Sequence, residues 1–490
     1  MNSINSNDVY DLVELPEGRK ALNSRWVFKK KITSDGSVSR YKARLVAQGC
    51  SQRFGEDYDE TFCPVVRFES IRTVIALAVQ NGMKLHQMDV TAAFLNGKLK
   101  EEVYMKQPEG FIEKGKEHFV CKLKKSIYGL KQSPRCWNYS LDDTLKKLGF
   151  VQTSGDPCIY VNSKGEKFII AVYVDDIILC CKSEHFLRKI KDELSREYNM
   201  KDLGELNYFL GVKIVQNTDN GQVWIGQPAY TENLLQNFGM ENAKSVQTPV
   251  DSSQKLVKAT ETSSLCNIEQ YQSAVGSLLY LSVKTRPDIT YAVCNVARFC
   301  AKPTMQHWMA VKRIMRYLKG TVNFGIMYTC NDFVDLVGYS DADWADNIDD
   351  RRSTSGYSFL MSGGVVSWRS KKQSCVALST AEAEYMALAG ATQEAVWLRQ
   401  LVSDLNVNCQ SPLLIYEDNQ SAIAMSKNPQ FHGRSKHIDI KFHYVREKVD
   451  ENVIKLEYCP TEVMIADILT KGLTQDKFKK LRDMLGMCQM

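Results

Sequence analysis

Two adjacent carboxylates, Asp175 and Asp176, interrupt an otherwise apolar stretch, FIIAVYVDDIILCC (168–181). The flanking runs read as two strands covered on at least one face, which puts the pair at the tip of a core hairpin. A plain turn is one explanation, but tight hairpin turns favour Asn-Gly or Asp-Gly over Asp-Asp. Neighbouring carboxylates in such a place repel one another and lose hydration. A divalent cation relieves both penalties, and Mg²⁺ is the hard, oxygen-seeking ion suited to it. Metal-assisted phosphoryl transfer needs a further carboxylate, and Asp89 supplies one at the end of the strand-like LHQMDV (85–90). Alone, an Asp there reads as a helix cap or turn residue. With Asp175 and Asp176 it makes a set able to clamp the attacking and leaving oxygens of an in-line displacement.

A second set of acids lies further along. Asp341 ends an alternating strand in FVDLVGYSDADWA (333–345), GYSFLMSGGVVSW reads as a hairpin and SCVAL as a third strand. Ser379 with Glu382 three residues on is a capping box opening a helix, which accounts for Glu382. Glu384 has no such account. It shares a helix face with Leu388, Ala391, Ala395 and Leu398, so its carboxylate needs a partner on a buried stripe. Asp418 stands at a strand-to-helix junction in LLIYEDNQSAIAM, and Asp467 on a last helix in TEVMIADILTKGL.

The elements that must position these acids are mixed. Strand-like and helical segments alternate irregularly, which predicts an α+β or mixed α/β, multidomain architecture. ESIRTVIALAVQNG (69–82) reads as a helix with a glycine stop, and residues 269–320 as helices, including HWMAVKRIMRYLKG. That last helix carries Lys312, Arg313, Arg316 and Lys319 among apolar residues, as a nucleic-acid track or a solvated amphipathic face would. Between them QTPVDSSQKLVKATETSS (247–264) is polar, aperiodic and the best linker. Residues 19–48 hold nine Lys or Arg against the single acid Asp35. A solvated hairpin around the turn at Ser34-Asp35-Gly36 and a surface for phosphates both fit that pattern.

At 490 residues the chain has room for three or four compact units, and 44% hydrophobic with 24% charged content is ordinary for a globular protein. No apolar run approaches a membrane span, and the N-terminus lacks the apolar core of a secretion signal. The fifteen cysteines form no C-x-x-C pair or zinc-spaced cluster, so they read as reduced core residues. A cytosolic or nuclear chain is expected.

The order and spacing of longer stretches carry a resemblance. LVELPEGRKALNSRWVFKKK, SRYKARLVAQG, DYDETFCPVVRFESIRTVIALA, LHQMDVTAAFLNG, EEVYMKQPEGF, VCKLKKSIYGLKQSPRCWN and YVDD resemble the reverse transcriptase of copia-type LTR retrotransposons. YQSAVGSLLYL, TRPDI and MRYLKGT resemble the region that follows it. YSDADWA, STSGY, SWRSKKQ, STAEAEYMAL, DNQSA, NPQFHGRSKHIDIKFHYVRE and ADILTK resemble the family's ribonuclease H.

The resemblance implies a right-hand polymerase with fingers and palm over 1–245 and a thumb and connection over 246–331. A ribonuclease-H-like α/β domain would follow over 332–475, with a C-terminal tail over 476–490. It implies that Asp89, Asp175 and Asp176, with the backbone carbonyl of Val90, hold two Mg²⁺. Asp341, Glu384, Asp418 and Asp467 would hold two more, with Mn²⁺ as the alternative ion in both sites. Phe94 falls where the family gates the ribose 2′-OH, and it also reads as a core aromatic. Lys42 and Arg44 match the element that meets the triphosphate. Tyr128 and Gly129 match the loop lining nucleotide and template, and Phe209, Leu210 and Gly211 match the primer-grip hairpin. Many ribonucleases H place a helper His shortly before the last acid, and none stands before Asp467. His437 and His443 are nearest and read as packing or solvent-facing residues.

The partners implied are an RNA template, a DNA primer, an RNA–DNA hybrid and deoxynucleoside triphosphates. The setting implied is a cytoplasmic virus-like particle and the nucleus. Gag, protease and integrase parts are expected of the whole element and are absent from this chain. The rival reading is an inert or host-adopted fragment that binds nucleic acid without catalysis, but all seven acids stand.

Overall fold

The computed structural model describes residues 1–32, 38–162, 165–330, 336–406, 412–427 and 439–490. The turn at Ser34-Asp35-Gly36 and His437 lie outside them. The architecture is mixed α/β, in two compact units that interleave along the chain. One comprises Met1–Val66, His86–Thr153 and Pro157–Gly204; the other comprises Arg67–Leu85, Ser154–Asp156 and Glu205–Met490. Among the described residues no helix is long and apolar enough to cross a membrane.

The first unit is built on a six-stranded sheet in the order Met200–Glu205, Lys84–Val90, Asp176–Cys181, Phe168–Tyr173, Ile159–Asn162, Phe150–Gln152. The two central strands are nearly all apolar because helices Ser133–Lys147 and Glu184–Glu197 bury them. Trp137, Leu141 and Leu145 from one helix, and Leu187, Ile190 and Leu194 from the other, join Phe168, Ile170, Ile177 and Leu179 in one core. Cys180 and Cys181 are buried thiols, and every described cysteine is free. A two-stranded hairpin, Ser24–Ile32 with Val38–Ala47, carries the basic stretch, and a three-stranded sheet completes the unit.

The acid pair sits one residue differently from its sequence reading. Tyr173 pairs with Asp176, so the two-residue turn is Val174-Asp175 and Asp176 already belongs to the returning strand. Val174 takes φ +56°, a left-handed conformation that a β-branched side chain adopts only under constraint. The constraint is visible: Trp137 Nε1 donates to the Val174 carbonyl at 2.7 Å.

The second unit holds two five-stranded sheets. One runs Gly364–Lys372, Thr354–Met361, Val337–Ala342, Leu413–Glu417, Ile454–Tyr458. Its hairpin side is antiparallel, whereas Leu413–Glu417 lies parallel to both its neighbours. The 25-residue helix Thr380–Asp404 covers it. SCVAL (374–378) is not a strand: the hairpin ends at Lys372, and Gln373 spends its side-chain amide on Ser355 Oγ and the Ala383 carbonyl. Val376 and Leu378 are exposed, and the Leu378 N–H donates to the Glu382 carboxylate at 2.7 Å. The cap at Ser379 accepts from the Glu382 N–H, as its spacing predicts.

The other sheet runs Tyr208–Phe209, Val212–Asn217, Gln222–Gly226, Phe324–Thr329, Met487–Gln489. The last residues thus form a helix, Gln475–Met484, and an edge strand. Helices Ile268–Lys284, Thr290–Ala297 and Met305–Lys319 follow the linker, which has no helix or strand but is strapped down. Arg313 donates to Asp251 at 3.2 Å and Asp349 accepts the Lys258 N–H at 3.0 Å, while Arg316 donates to the Lys244 carbonyl just ahead of the linker at 2.7 Å. Two of the four basic groups on the third helix are therefore engaged by their own chain.

Helix Phe68–Gln80 packs in this second unit against strands Gly364–Lys372 and Phe324–Thr329. Its Arg72 is 1% exposed, donates to the Val366, Val283 and Lys284 carbonyls, and stacks 3.8 Å over Trp368. A planar guanidinium satisfies that geometry and an ammonium does not. We expect Arg72→Ala to lower the stability of this unit by about 3–5 kcal/mol, with Arg72→Lys recovering little, as read by chemical denaturation.

Candidate active sites

In the first unit Asp89 comes from strand Lys84–Val90, and the Val90 N–H donates to the Asp175 carbonyl at 2.9 Å. That backbone bond adds to the sheet pairing of Lys84–Val90 with Asp176–Cys181 and ties the acid-bearing strand to the acid-bearing turn. Asp89, Val90 and Asp175 share a concavity of about 270 Å³ with Lys42, Arg44 and Tyr128. The Asp175 carboxyl is raised, first by desolvation and then by the charge of Asp89. Its own backbone N–H, Arg44 and Lys42 pull it down. Asp176 lies beside the pair, and its carboxylate accepts from the Gln87 side chain at 3.0 Å. Asp89, Asp175 and Asp176 are not among the acid trios whose ligand oxygens lie within 4.8 Å of one another among the described residues.

Phe94 follows a left-handed Ala92 in the short 3₁₀ turn Ala93–Asn96. Its ring meets Tyr128 edge-on at 5.0 Å, and the Arg44 guanidinium lies 5.3 Å from the Tyr128 ring centre. Gly129 has φ +95°, and a Cβ there would stand 2.1 Å from the Ala47 carbonyl oxygen. Only glycine lets this loop meet the end of the basic hairpin. Phe209, Leu210 and Gly211 belong to the second unit, where Leu210 (φ +48°) and Gly211 (φ +79°) form a tight hairpin turn. The Tyr280 hydroxyl donates to the Leu210 carbonyl at 2.7 Å and leaves no space for a side chain on Gly211.

The second acid set, wholly within the second unit, is more deeply buried. Asp341 sits on strand Val337–Ala342 at 1% exposure, and Asp467 is fully buried. Asp467 is carried by a 3₁₀ turn, Ile465–Leu469, and not by a last α-helix; the helix begins at Gln475. Glu384 lies in the first turns of helix Thr380–Asp404, buried with Leu388, Ala391, Ala395 and Leu398. Asp418 follows strand Leu413–Glu417 and accepts from Thr461 Oγ1 at 2.7 Å.

Ligand oxygens of Asp341, Asp418 and Asp467 lie within 4.8 Å of one another, as do those of Glu384, Glu417 and Asp418. Glu417 is a residue that the sequence reading passes over. The alternation Leu413, Ile415, Glu417 places it on the inward face, and that signal could have found it. Thr470 and Lys471 contact Asp341, while Lys471 (2.6 Å) and Lys477 contact Asp467. His443 is exposed on helix Asp439–Asp450.

Burial raises the carboxyls of Asp341, Glu384 and Glu417 above the ordinary range, and their mutual charge adds to it. Asp341 Oδ1, Glu384 Oε2 and Glu417 Oε2 have no hydrogen-bond partner among the described residues. Buried oxygens left unpaired at this density are costly unless a cation takes them, and an all-oxygen donor set suits Mg²⁺ or Mn²⁺.

Residues 7–252 match the reverse transcriptase (RNA-dependent DNA polymerase) family. Over 495 residues, 99% of this chain, the sequence is 44% identical to the "Retrovirus-related Pol polyprotein from transposon TNT 1-94" of Nicotiana tabacum. It is 41% identical over 492 residues to the corresponding polyprotein from transposon RE1 of Arabidopsis thaliana. The chain spans 37% and 33% of those two relatives. It is also 37% identical over 301 residues to the "Putative transposon Ty5-1 protein YCL074W" of Saccharomyces cerevisiae, covering 97% of that protein.

Desolvation lifts Asp343, two residues beyond Asp341, to about 7. Its folded value exceeds its unfolded one, so the folded state holds the extra proton between roughly pH 4 and 7. Stability from this group is full at the acidic end and is lost as pH rises through about 7. Melting temperatures in chelator should therefore fall from pH 5 to pH 8, and Asp343→Asn should flatten part of that slope.

Proposed function

The chain belongs to the reverse transcriptase (RNA-dependent DNA polymerase) family, in the form found in copia-type retrotransposon Pol polyproteins, and we propose that it copies RNA into DNA and degrades the copied RNA. The observation that carries the reading is the Asp89–Asp175 pair lying in one concavity with Lys42, Arg44 and Tyr128. Carboxylates facing basic groups across a space of that size suit a metal-bound triphosphate.

In this reading Asp89, Asp175, Asp176 and the Val90 carbonyl would hold two Mg²⁺, with Mn²⁺ as substitute. Asp341, Glu384, Asp418 and Asp467 would hold two more. Bound there, the ions would activate the attacking oxygen and neutralise charge on the phosphate. Lys42 and Arg44 bind the triphosphate, and Arg44 is steadied by Tyr128. Phe94, backed edge-on by Tyr128, fills the space that a 2′-hydroxyl needs. Tyr128 and Gly129 line nucleotide and template, and the turn Phe209-Leu210-Gly211 supports the primer. In the second unit the acids orient a water against the RNA strand of an RNA–DNA hybrid.

The organisation that goes with this is fingers and palm over 1–245, thumb and connection over 246–331, a ribonuclease-H-like domain over 332–475 and a terminal segment over 476–490. The substrates are an RNA template, a DNA primer, the hybrid they produce and deoxynucleoside triphosphates. The remaining gag, protease and integrase parts of the element are its partners, in a cytoplasmic particle and in the nucleus.

Primer extension on RNA with Mg²⁺ tests the polymerase. Asp175→Asn with Asp176→Asn should cost at least about a thousandfold in rate, roughly 4 kcal/mol of barrier. Phe94→Ala should retain extension while discrimination against ribonucleotides falls about 10–200-fold. Folded parent protein that binds hybrid but never extends would point to the non-catalytic reading instead. For the second site, Glu384→Gln should abolish cleavage of RNA in a hybrid and leave extension intact.

A further inference from the structure

The second unit's acids are not one cluster but two trios sharing Asp418, and the two trios differ in how their charge is balanced. Asp341, Asp418 and Asp467 have two ammonium groups at hand. Lys471 stands 2.6 Å from Asp467 and 3.7 Å from Asp341, and Lys477 also reaches Asp467. Around Glu384, Glu417 and Asp418 the picture is reversed. The charges acting most strongly on Glu384 and Glu417 are other carboxylates. Each also leaves one oxygen, Oε2, without a hydrogen-bond partner, at 7% and 0% exposure.

Glu417 is held for the purpose by backbone on both sides. Its strand lies parallel to Val337–Ala342 and Ile454–Tyr458, its own carbonyl accepts the Cys459 N–H at 3.0 Å, and its Oε1 accepts the Asn419 N–H at 3.3 Å. The second oxygen lacks a partner of hydrogen-bonding geometry, with the Ser340 hydroxyl its polar neighbour, and is left for a ligand. We propose that Glu417 is a cation ligand of this site, and that Glu384, Glu417 and Asp418 take up the first divalent ion. An ion entering the Asp341–Asp467 side must displace ammonium groups, whereas one entering the Glu384–Glu417 side displaces none. The second ion follows once Lys471 and Lys477 are drawn off. This rests on reading the domain as a ribonuclease H and adds a fifth carboxylate to its acids.

The test is a Mn²⁺ titration of the intact chain, followed by electron paramagnetic resonance, in an Asp175→Asn/Asp176→Asn background that removes polymerase-site binding. Glu417→Gln should weaken the first step about 10–100-fold, as loss of a ligating or orienting group does. Asp467→Asn should leave the first step within about twofold and weaken the second, and Asp418→Asn should weaken both. A Glu417→Gln chain that takes up its first ion like the parent overturns the proposal, as does a first step that depends on Asp467. If Glu417→Gln fails to fold, by its melting curve, Glu384→Gln against Asp467→Asn decides the order of filling. Hybrid cleavage by parent and Glu417→Gln with the same Mn²⁺ dependence overturns the role of Glu417 alone. A parent that neither cleaves hybrid nor binds an ion at these acids overturns the ribonuclease H reading itself.

Discussion

Carboxylates crowded where water is scarce set the terms for the rest of this molecule. Each acid brought beside another raises the cost of ionising both, and each one buried adds a desolvation penalty. The protein answers in two ways. Around Asp89 and Asp175 it keeps the site open and faces it with the basic hairpin, so that Arg44 and Lys42 offset part of the repulsion. Around Asp341 and Asp467 it closes the site and inserts Lys471 and Lys477. An open concavity keeps its carboxylates in reach of solvent and of basic groups; a closed cluster fixes its oxygens in one arrangement.

Rigid backbone carries this out. Asp89 and Asp175 are coupled through the Val90–Asp175 bond, and the turn that bears Asp175 is strained at Val174 and held by Trp137. The strain is retained because a deep apolar core backs it: the strands on both sides of the turn are almost completely buried. Stability stored in that core is what allows two awkward conformations, at Ala92 and Val174, to flank the acids.

Much of this was legible in the sequence, because acids are conspicuous where apolar periodicity leads one to expect none. FIIAVYVDDIILCC announces two strands and an anomaly, and Glu384 stands out on an otherwise apolar helix face. What escaped had physical causes too. The turn register at Val174 depends on a left-handed valine that no propensity would choose. SCVAL carries strand-like residues but is drawn out of the sheet by Gln373 and Glu382. Asp467 lies in a 3₁₀ turn too short to show periodicity. Glu417 was masked by its neighbour, since Asp418 already explained an acid at that strand end. Spacing alone also does not show which basic groups are engaged: Arg313 bonds Asp251 of the linker, and Arg316 bonds the Lys244 carbonyl just ahead of it.

The helix Phe68–Gln80 carries a last consequence. Arg72 binds the carbonyl of Val366, 294 positions later in the chain. As the polypeptide leaves the ribosome, this helix emerges early, and the strand it will lie against is made much later. In the interval Ile71, Val74, Ile75 and Leu77, all fully buried in the finished protein, have no lasting place to go. Such long-range closure slows folding and leaves apolar surface uncovered on the nascent chain. A copy of this gene truncated before the late strand would therefore lose more than its last domain. It would strand a sticky helix inside the part that remains, and that part would tend to aggregate before it could fold.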